Sequence, residues 1–303
     1  VLAGLALVLL SACAYGITPA LFKLAYRAQM DELSLIGLRS AIGAGFVAVT
    51  ARALGEARVE RRAAVRLAGL GAVLFGPQLW LYFGSLHWVD TAVAVGVVYV
   101  YPAIIVLLTA VRRRRPPPVG EAILISLALV GIAIIAVTAG PSRVAPTGVV
   151  LAAAAALGYA VYVVVVASLV ADLPTLGASA WILAGTATAT LAAAAVTGRL
   201  ALPTSGLAWG YVLAHGLVVV PVGLVAFYAG LRRLGPIRTA LVDTVQPVIA
   251  VVVGTAVLGE ALIAGRALGI ALVVVAVAGL PLLAVLPRRR RTPDEPVRKR
   301  GEE

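Results

Sequence analysis

Two stretches of this chain decide how the rest is read: YFGSLHWVDTAVAVGVVYVYP, residues Tyr82–Pro102, and FYAGLRRLGPIRTALVDTVQP, residues Phe227–Pro247. Set at an offset of 145 residues, they pair an aromatic doublet at the start, Leu86 with Leu231, and Pro102 with Pro247. Gly120 then meets Gly265 without a gap, and Pro77 meets Pro221 after a slip of one residue. The chain is therefore read as a duplication.

What is duplicated follows from composition. Of 303 residues, 62% are hydrophobic and 13% charged, and the mean hydropathy is +1.05. A soluble domain carries about a quarter charged residues. Apolar runs of roughly 20 residues, each long enough to cross a bilayer core of about 30 Å as a helix, recur throughout. A β-barrel is excluded, because its strands would alternate apolar and polar residues. The expected fold class is an all-α polytopic membrane protein. Ten transmembrane helices are expected near 3–25, 33–53, 66–86, 91–111, 120–138, 147–169, 176–196, 208–230, 237–257 and 263–285. They divide into a first repeat, 1–139, and a second, 146–286, followed by a disordered basic tail, 287–303. Five spans per repeat is an odd number, so the second repeat enters the membrane inverted. Inverted repeats place a substrate site near the midplane between them.

The net charge of +12 does not point to nucleic acid, because the charges sit in short clusters between spans, as at Arg112–Arg115 and Arg288–Arg291. With the N-terminus in the cytoplasm, 19 of the 25 Lys and Arg residues fall on the inner side and 6 on the outer. Both termini are thus expected inside, in the cytoplasmic membrane. The single Cys, Cys13, excludes an internal disulfide framework. LSAC, Leu10–Cys13, fits a lipoprotein processing box, but the spans that follow make it part of a first helix. The chain opens at Val with no Met, so its natural start is expected upstream.

Polar residues inside spans mark candidate function. Asp243 lies about 9 Å inside the inner end of its span; it is either a coupling or amine-binding group or the partner of Arg233 or Arg238. Gln246 and Thr244 beside it are uncharged and cheaper to bury, and they suit solute hydrogen bonds, with interhelical bonds the alternative. In the first repeat Tyr99 and Tyr101, with Gln78 and Tyr82, form the counterpart, since tyrosine joins an apolar face to a hydroxyl. Tyr82, like Trp80, also suits interfacial anchoring. Tyr15 and Thr18 precede Pro19; Tyr159 and Tyr162 occupy span 6, which lacks that proline. Tyr228, in the second aromatic doublet, completes the candidate substrate-binding set. Pro77, Pro102, Pro221 and Pro247 are candidate helix breaks, tolerated in lipid only where protein or a watery cavity re-satisfies the backbone. Lys23 and Arg39 lie close enough to the outer surface to snorkel, or to bind a substrate carboxylate. His215 is read as a packed residue rather than a proton relay. GRALG, Gly265–Gly269, is a GxxxG form offering a packing face or a homodimer face. The tail is positioned to touch anionic lipid.

The segment Ala229–Leu280 resembles the second repeat of the drug/metabolite transporter superfamily, EamA type. The likeness rests on the L..LG turn at Leu231–Gly235, on QP where that family often has EP or LP, on LGE at Leu258–Glu260, and on Gly265 and Gly269. LFK at Leu21–Lys23 and LRSAIGA at Leu38–Ala44 are similar to its first two helices. The first half departs from the pattern: it has no LGE after span 4, VRRRR at 111–115 instead, and Tyr101 before its proline. The resemblance implies ten helices in two inverted repeats, both termini inside, and export or exchange of a small metabolite.

The expected function is a secondary transporter for an amino-acid-like or aromatic compound. No nucleotide-binding motif is present, so a gradient or exchange would drive it. The expected partners are a small solute and the bilayer, with no nucleic acid and no cofactor or metal. A membrane enzyme on lipid or prenyl substrates would need clustered acids, a metal motif or a reactive cysteine, and neither DxxD nor HExxH occurs. A non-transporting scaffold or sensor has only the basic tail in its favour.

Overall fold

The computed structural model describes residues 1–18, 21–22, 25, 30–89, 91–138, 145–258 and 264–285. Pro19, Lys23, the LGE glutamate Glu260 and the basic tail lie outside the described residues. Every element described is helical. In the first repeat these are α1 (Leu2–Gly16), α2 (Glu32–Ala53), α3 (Arg61–Leu70), α4 (Gly76–Ser85), α5 (Thr91–Val98), α6 (Tyr101–Arg113) and α7 (Val119–Val137). In the second they are α8 (Pro146–Leu169), α9 (Thr175–Val196), α10 (Gly206–Ala214), α11 (Val220–Leu234), α12 (Pro236–Asp243), α13 (Val245–Leu258) and α14 (Ala264–Val285). Among the described residues eight helical segments are long and apolar enough to cross a membrane, and Leu2–Gly16 and Ala264–Leu280 are shorter apolar helices. Ten apolar helical segments are thus present among the described residues, as the sequence leads one to expect. The third starts earlier than expected, at Arg61, and the eighth runs on to Leu234.

The interruptions fall in matched places. The third segment carries a π-helical turn at Gly71–Phe75 just before Pro77, and the eighth carries one at His215–Val219 just before Pro221. A π turn shifts the side chains beyond it around the helix axis. Gly71 O accepts from Gly76 N–H across the turn and also from Thr186 Oγ1 at 3.2 Å. These turns are close approaches. A Cβ on Gly71 would lie 2.1 Å from Ile182 O, and one on Gly216 would lie 2.8 Å from Ile42 Cβ.

The fourth and ninth segments are broken outright, at Tyr99–Val100 and at Thr244. The breaks therefore precede Pro102 and Pro247 rather than falling on them. Pro102 stands in the first turn of α6 and Pro247 in the first turn of α13. There the missing N–H has no intrahelical acceptor to lose, and the ring bars continuation of the preceding helix.

The loops after α2 and α9 cross to the opposite repeat. Glu56 accepts hydrogen bonds from Leu176 N at 3.1 Å and Gly177 N at 2.8 Å, capping the start of α9. Arg199, at the equivalent place in the second repeat, pairs with Asp31 and Glu32 at the start of α2, and His87 bonds Glu32 at 2.9 Å. Each helix of the α2–α9 pair is thus held at its N-terminus by the other repeat, at opposite ends of the pair.

GRALG packs inside the chain. A Cβ on Gly269 would lie 2.6 Å from Gly131 O, and one on Gly265 would lie 2.5 Å from Thr138 Cγ2. That face of α14 is covered by α7, so of the two uses open to the motif, packing is the one observed.

Candidate functional site

Asp243 is the last residue of α12 and is 1% exposed. A carboxylate in hydrocarbon costs several kcal/mol unless it is hydrogen-bonded or neutralised. One of its partners comes from the other repeat and two come from its own. The Tyr101 hydroxyl donates to Oδ2 at 2.7 Å and the Tyr159 hydroxyl at 3.4 Å. Gln246 Nε2 donates to Oδ1, and Gln246 Oε1 accepts from the Tyr99 hydroxyl at 3.1 Å. Asp243 and Gln246 are three residues apart and Thr244 between them keeps right-handed helical angles, so the two side chains fall on one face. The rim arginines are engaged elsewhere: Arg238 Nε bonds Glu121 at 2.7 Å and Arg233 donates to Ala229 O at 2.7 Å. Asp243 is therefore bonded by tyrosines and an amide rather than by an arginine.

Beside this cluster lies a cavity of about 120 Å³ between the repeats. Of the residues singled out from sequence, Tyr15, Gln78, Tyr82, Tyr99, Tyr101, Asp243, Gln246 and Pro247 line it. Tyr228 does not; it is fully buried, with its hydroxyl bonded to that of Tyr162. Thr244 does not either; its hydroxyl donates to Leu241 O at 2.6 Å, a carbonyl that also accepts from Thr244 N–H at 3.2 Å. Pro77, Pro102 and Pro221 shape the helices and stand outside the lining.

The structure adds residues to the lining. Arg39, for which the sequence offers snorkelling or carboxylate binding, is 3% exposed and lines the cavity. Its guanidinium carbon lies 5.0 Å from the Phe22 ring centroid and 5.9 Å from that of Phe83, and these two rings are stacked. Cation–π contact offsets part of the cost of burying the charge. Tyr159 also lines the cavity. It stands 144 residues after Tyr15, so the repeat offset carried the signal that would have found it. His215 is fully buried, 3.4 Å from Thr18 Oγ1 and edge-on to Phe22, and stands outside the lining. Thr18 does line the cavity.

Aromatic rings pack against one another in and behind the cavity wall. Tyr101 meets Tyr159 edge-on at 4.8 Å, Tyr159 lies 6.5 Å from Phe227, and Phe75 stacks on Tyr162 at 4.9 Å. Such contacts stabilise by about 0.5–1.5 kcal/mol each beyond their area. Among the described residues no group of His, Cys, Asp and Glu is placed to hold a metal ion.

Comparison with known proteins adds three findings. The model of the EamA-like transporter family matches the chain twice, over residues 2–137 and 146–281. A solved crystal structure of a protein with 22% sequence identity superposes with a TM-score of 0.80, covering 92% of this chain and 98% of that chain. A search of curated proteins found no match.

Proposed function

This chain belongs to the EamA-like transporter family and is a multi-pass membrane transporter of the drug/metabolite type, and on that premise we propose that it carries a small zwitterionic solute, an amino acid or a related aromatic compound. It acts as a secondary exporter or exchanger in the cytoplasmic membrane, with both termini inside and the solute bound at the midplane in alternating access. The observation that carries this reading is the charge pattern of the cavity. Among its described lining residues Arg39 is the one cation and Asp243 the one carboxylic acid, and the walls between them are aromatic and apolar. Each stands seven residues inside a helix that enters from the opposite face. At 1.5 Å per residue both sit about 10 Å deep in a core of about 30 Å. A solute carboxylate would bind Arg39, its ammonium group the Asp243–Gln246 cluster, and its body the tyrosine rings. Orientation with both termini inside rests on the excess of Lys and Arg on one face.

Proteoliposome flux tests the reading. Labelled amino acids, their decarboxylated amines and their deaminated acids are compared in the natural protein, Arg39→Gln and Asp243→Asn. The expected result is that Arg39→Gln loses preference for the intact amino acid over the amine, and Asp243→Asn loses it over the acid. Equal flux of all three classes through the natural protein would overturn the zwitterion assignment.

A further inference from the structure

A second cavity, of about 260 Å³, opens at the arginine-rich end of the bundle, away from the solute cavity. Its wall is made by Arg113 at the end of α6, Glu121 near the start of α7, and the turn Gly235–Pro236 leading into Ile237 and Arg238 of α12. Gly235 has φ of 75°, a left-handed conformation that glycine adopts without strain, and this folds α12 back against α7. Arg238 Nε bonds Glu121 Oε1 at 2.7 Å. Arg113 is exposed and has no carboxylate partner among the described residues. Two guanidinium groups and one carboxylate leave the wall formally positive. Ile237 and Arg238 stand in the first turn of α12, whose N–H groups have no intrahelical acceptor. Arg112, Arg114 and Arg115 continue the same positive surface.

A recess of this kind, with guanidinium forks and helix-start N–H groups on one wall, matches a tetrahedral anion with several acceptor oxygens. Its place at the ends of membrane-crossing helices is the depth of lipid headgroups. We propose that this cavity is a phosphate site held by Arg113 and Arg238, occupied by the headgroup of an anionic phospholipid. Glu121 is the internal competitor: it holds Arg238 when the site is empty and yields it when phosphate binds. Because α12 starts at this site and ends at Asp243, occupancy sets the position of the helix that carries the solute-site carboxyl. The lipid site itself does not depend on the identity of the solute.

Thermal unfolding of the full-length protein in detergent is followed against short-chain phosphatidylglycerol, short-chain phosphatidylcholine and inorganic phosphate. Phosphatidylglycerol is expected to raise the midpoint saturably, by mass action. Glu121→Gln should bind it several-fold more tightly, because the competitor is gone. Arg113→Gln, an exposed position that keeps the fold, should bind it about tenfold more weakly, as loss of a charge-assisted bond implies. Arg61→Gln/Arg62→Gln, at the same end but outside the cavity, should match the natural protein. The same variant-dependent response to inorganic phosphate would uphold the site and make free phosphate its source. A lipid response indifferent to both Arg113→Gln and Glu121→Gln, or equally reduced by the Arg61/Arg62 change, would overturn it.

Discussion

The hydroxyl of Tyr101 donates a 2.7 Å hydrogen bond to Asp243, joining residues 142 apart in sequence and belonging to opposite repeats. Each stands at a helix break: Tyr101 opens α6 after the Tyr99–Val100 turn, and Asp243 closes α12 before Thr244. The two interruptions therefore face one another at mid-bundle, and the bond between them spans the interface on which alternating access would turn.

Removing one end of that bond separates coupling from structure. Tyr101→Phe keeps the ring and its packing on Tyr159, and loses one donor to a buried carboxyl, a cost of about 1–3 kcal/mol. The protein should still insert, with the pH dependence of its transport displaced. Asp243→Asn should abolish pH-driven accumulation while exchange of solute persists. Both are read as flux against pH in proteoliposomes, normalised to inserted protein. A natural pH profile in Asp243→Asn would leave Asp243 a structural residue.

The prolines make a second prediction. Pro102 and Pro247 sit where a missing N–H costs nothing, so Pro102→Ala and Pro247→Ala should insert normally. Alanine no longer bars the preceding helix from continuing. The segments should then straighten, Tyr101 and Gln246 should rotate out of register, and transport should fall. Wild-type flux in both variants would show that the breaks are held by other contacts.

Packing of α14 against α7 predicts a large effect from a small change. A side chain on Gly131 would meet Gly269 O at 2.7 Å. Gly131→Val should cost about 1–3 kcal/mol by overpacking, read as a lower midpoint of thermal unfolding. Gly45→Val, where nothing lies within 4 Å, serves as the control and should leave the midpoint nearly unchanged.

Arg199 bridges Asp31 and Glu32 across the repeat boundary. Arg199→Gln leaves the largely buried Glu32 with His87 alone. The guanidinium is 39% exposed, so the cost is reduced by solvent screening to about 1–2 kcal/mol. The difference between Arg199→Gln and the natural protein should shrink at low pH, where Glu32 is protonated in both. Thermal unfolding at two pH values checks this.

Orientation is open to direct labelling. On a Cys13→Ser background, Arg114→Cys should react with an impermeant thiol reagent only from the cytoplasmic side, and Leu202→Cys, in the loop after α9, only from the outside. Labelling of both from one side would sink the inverted arrangement.

The sequence by itself determined the frame. Ten apolar runs, an odd number per repeat and arginines concentrated on alternate loops follow from composition, length and charge, because the bilayer imposes those terms on any chain that crosses it. The repeat offset located the prolines and the polar residues of the fourth and ninth spans. Which of those residues meet was decided only by tertiary structure. A helix that is apolar all round carries no stripe to say which face turns inward, so Arg39 could not be told from a snorkelling arginine, nor Tyr228 from a cavity tyrosine. The π turns before Pro77 and Pro221 rotate the side chains beyond them, and the breaks before Pro102 and Pro247 rotate them again. The partner of Asp243 therefore depends on angles that no spacing records: it is Tyr101 in the other repeat, while Arg238, only five residues away, turns to Glu121.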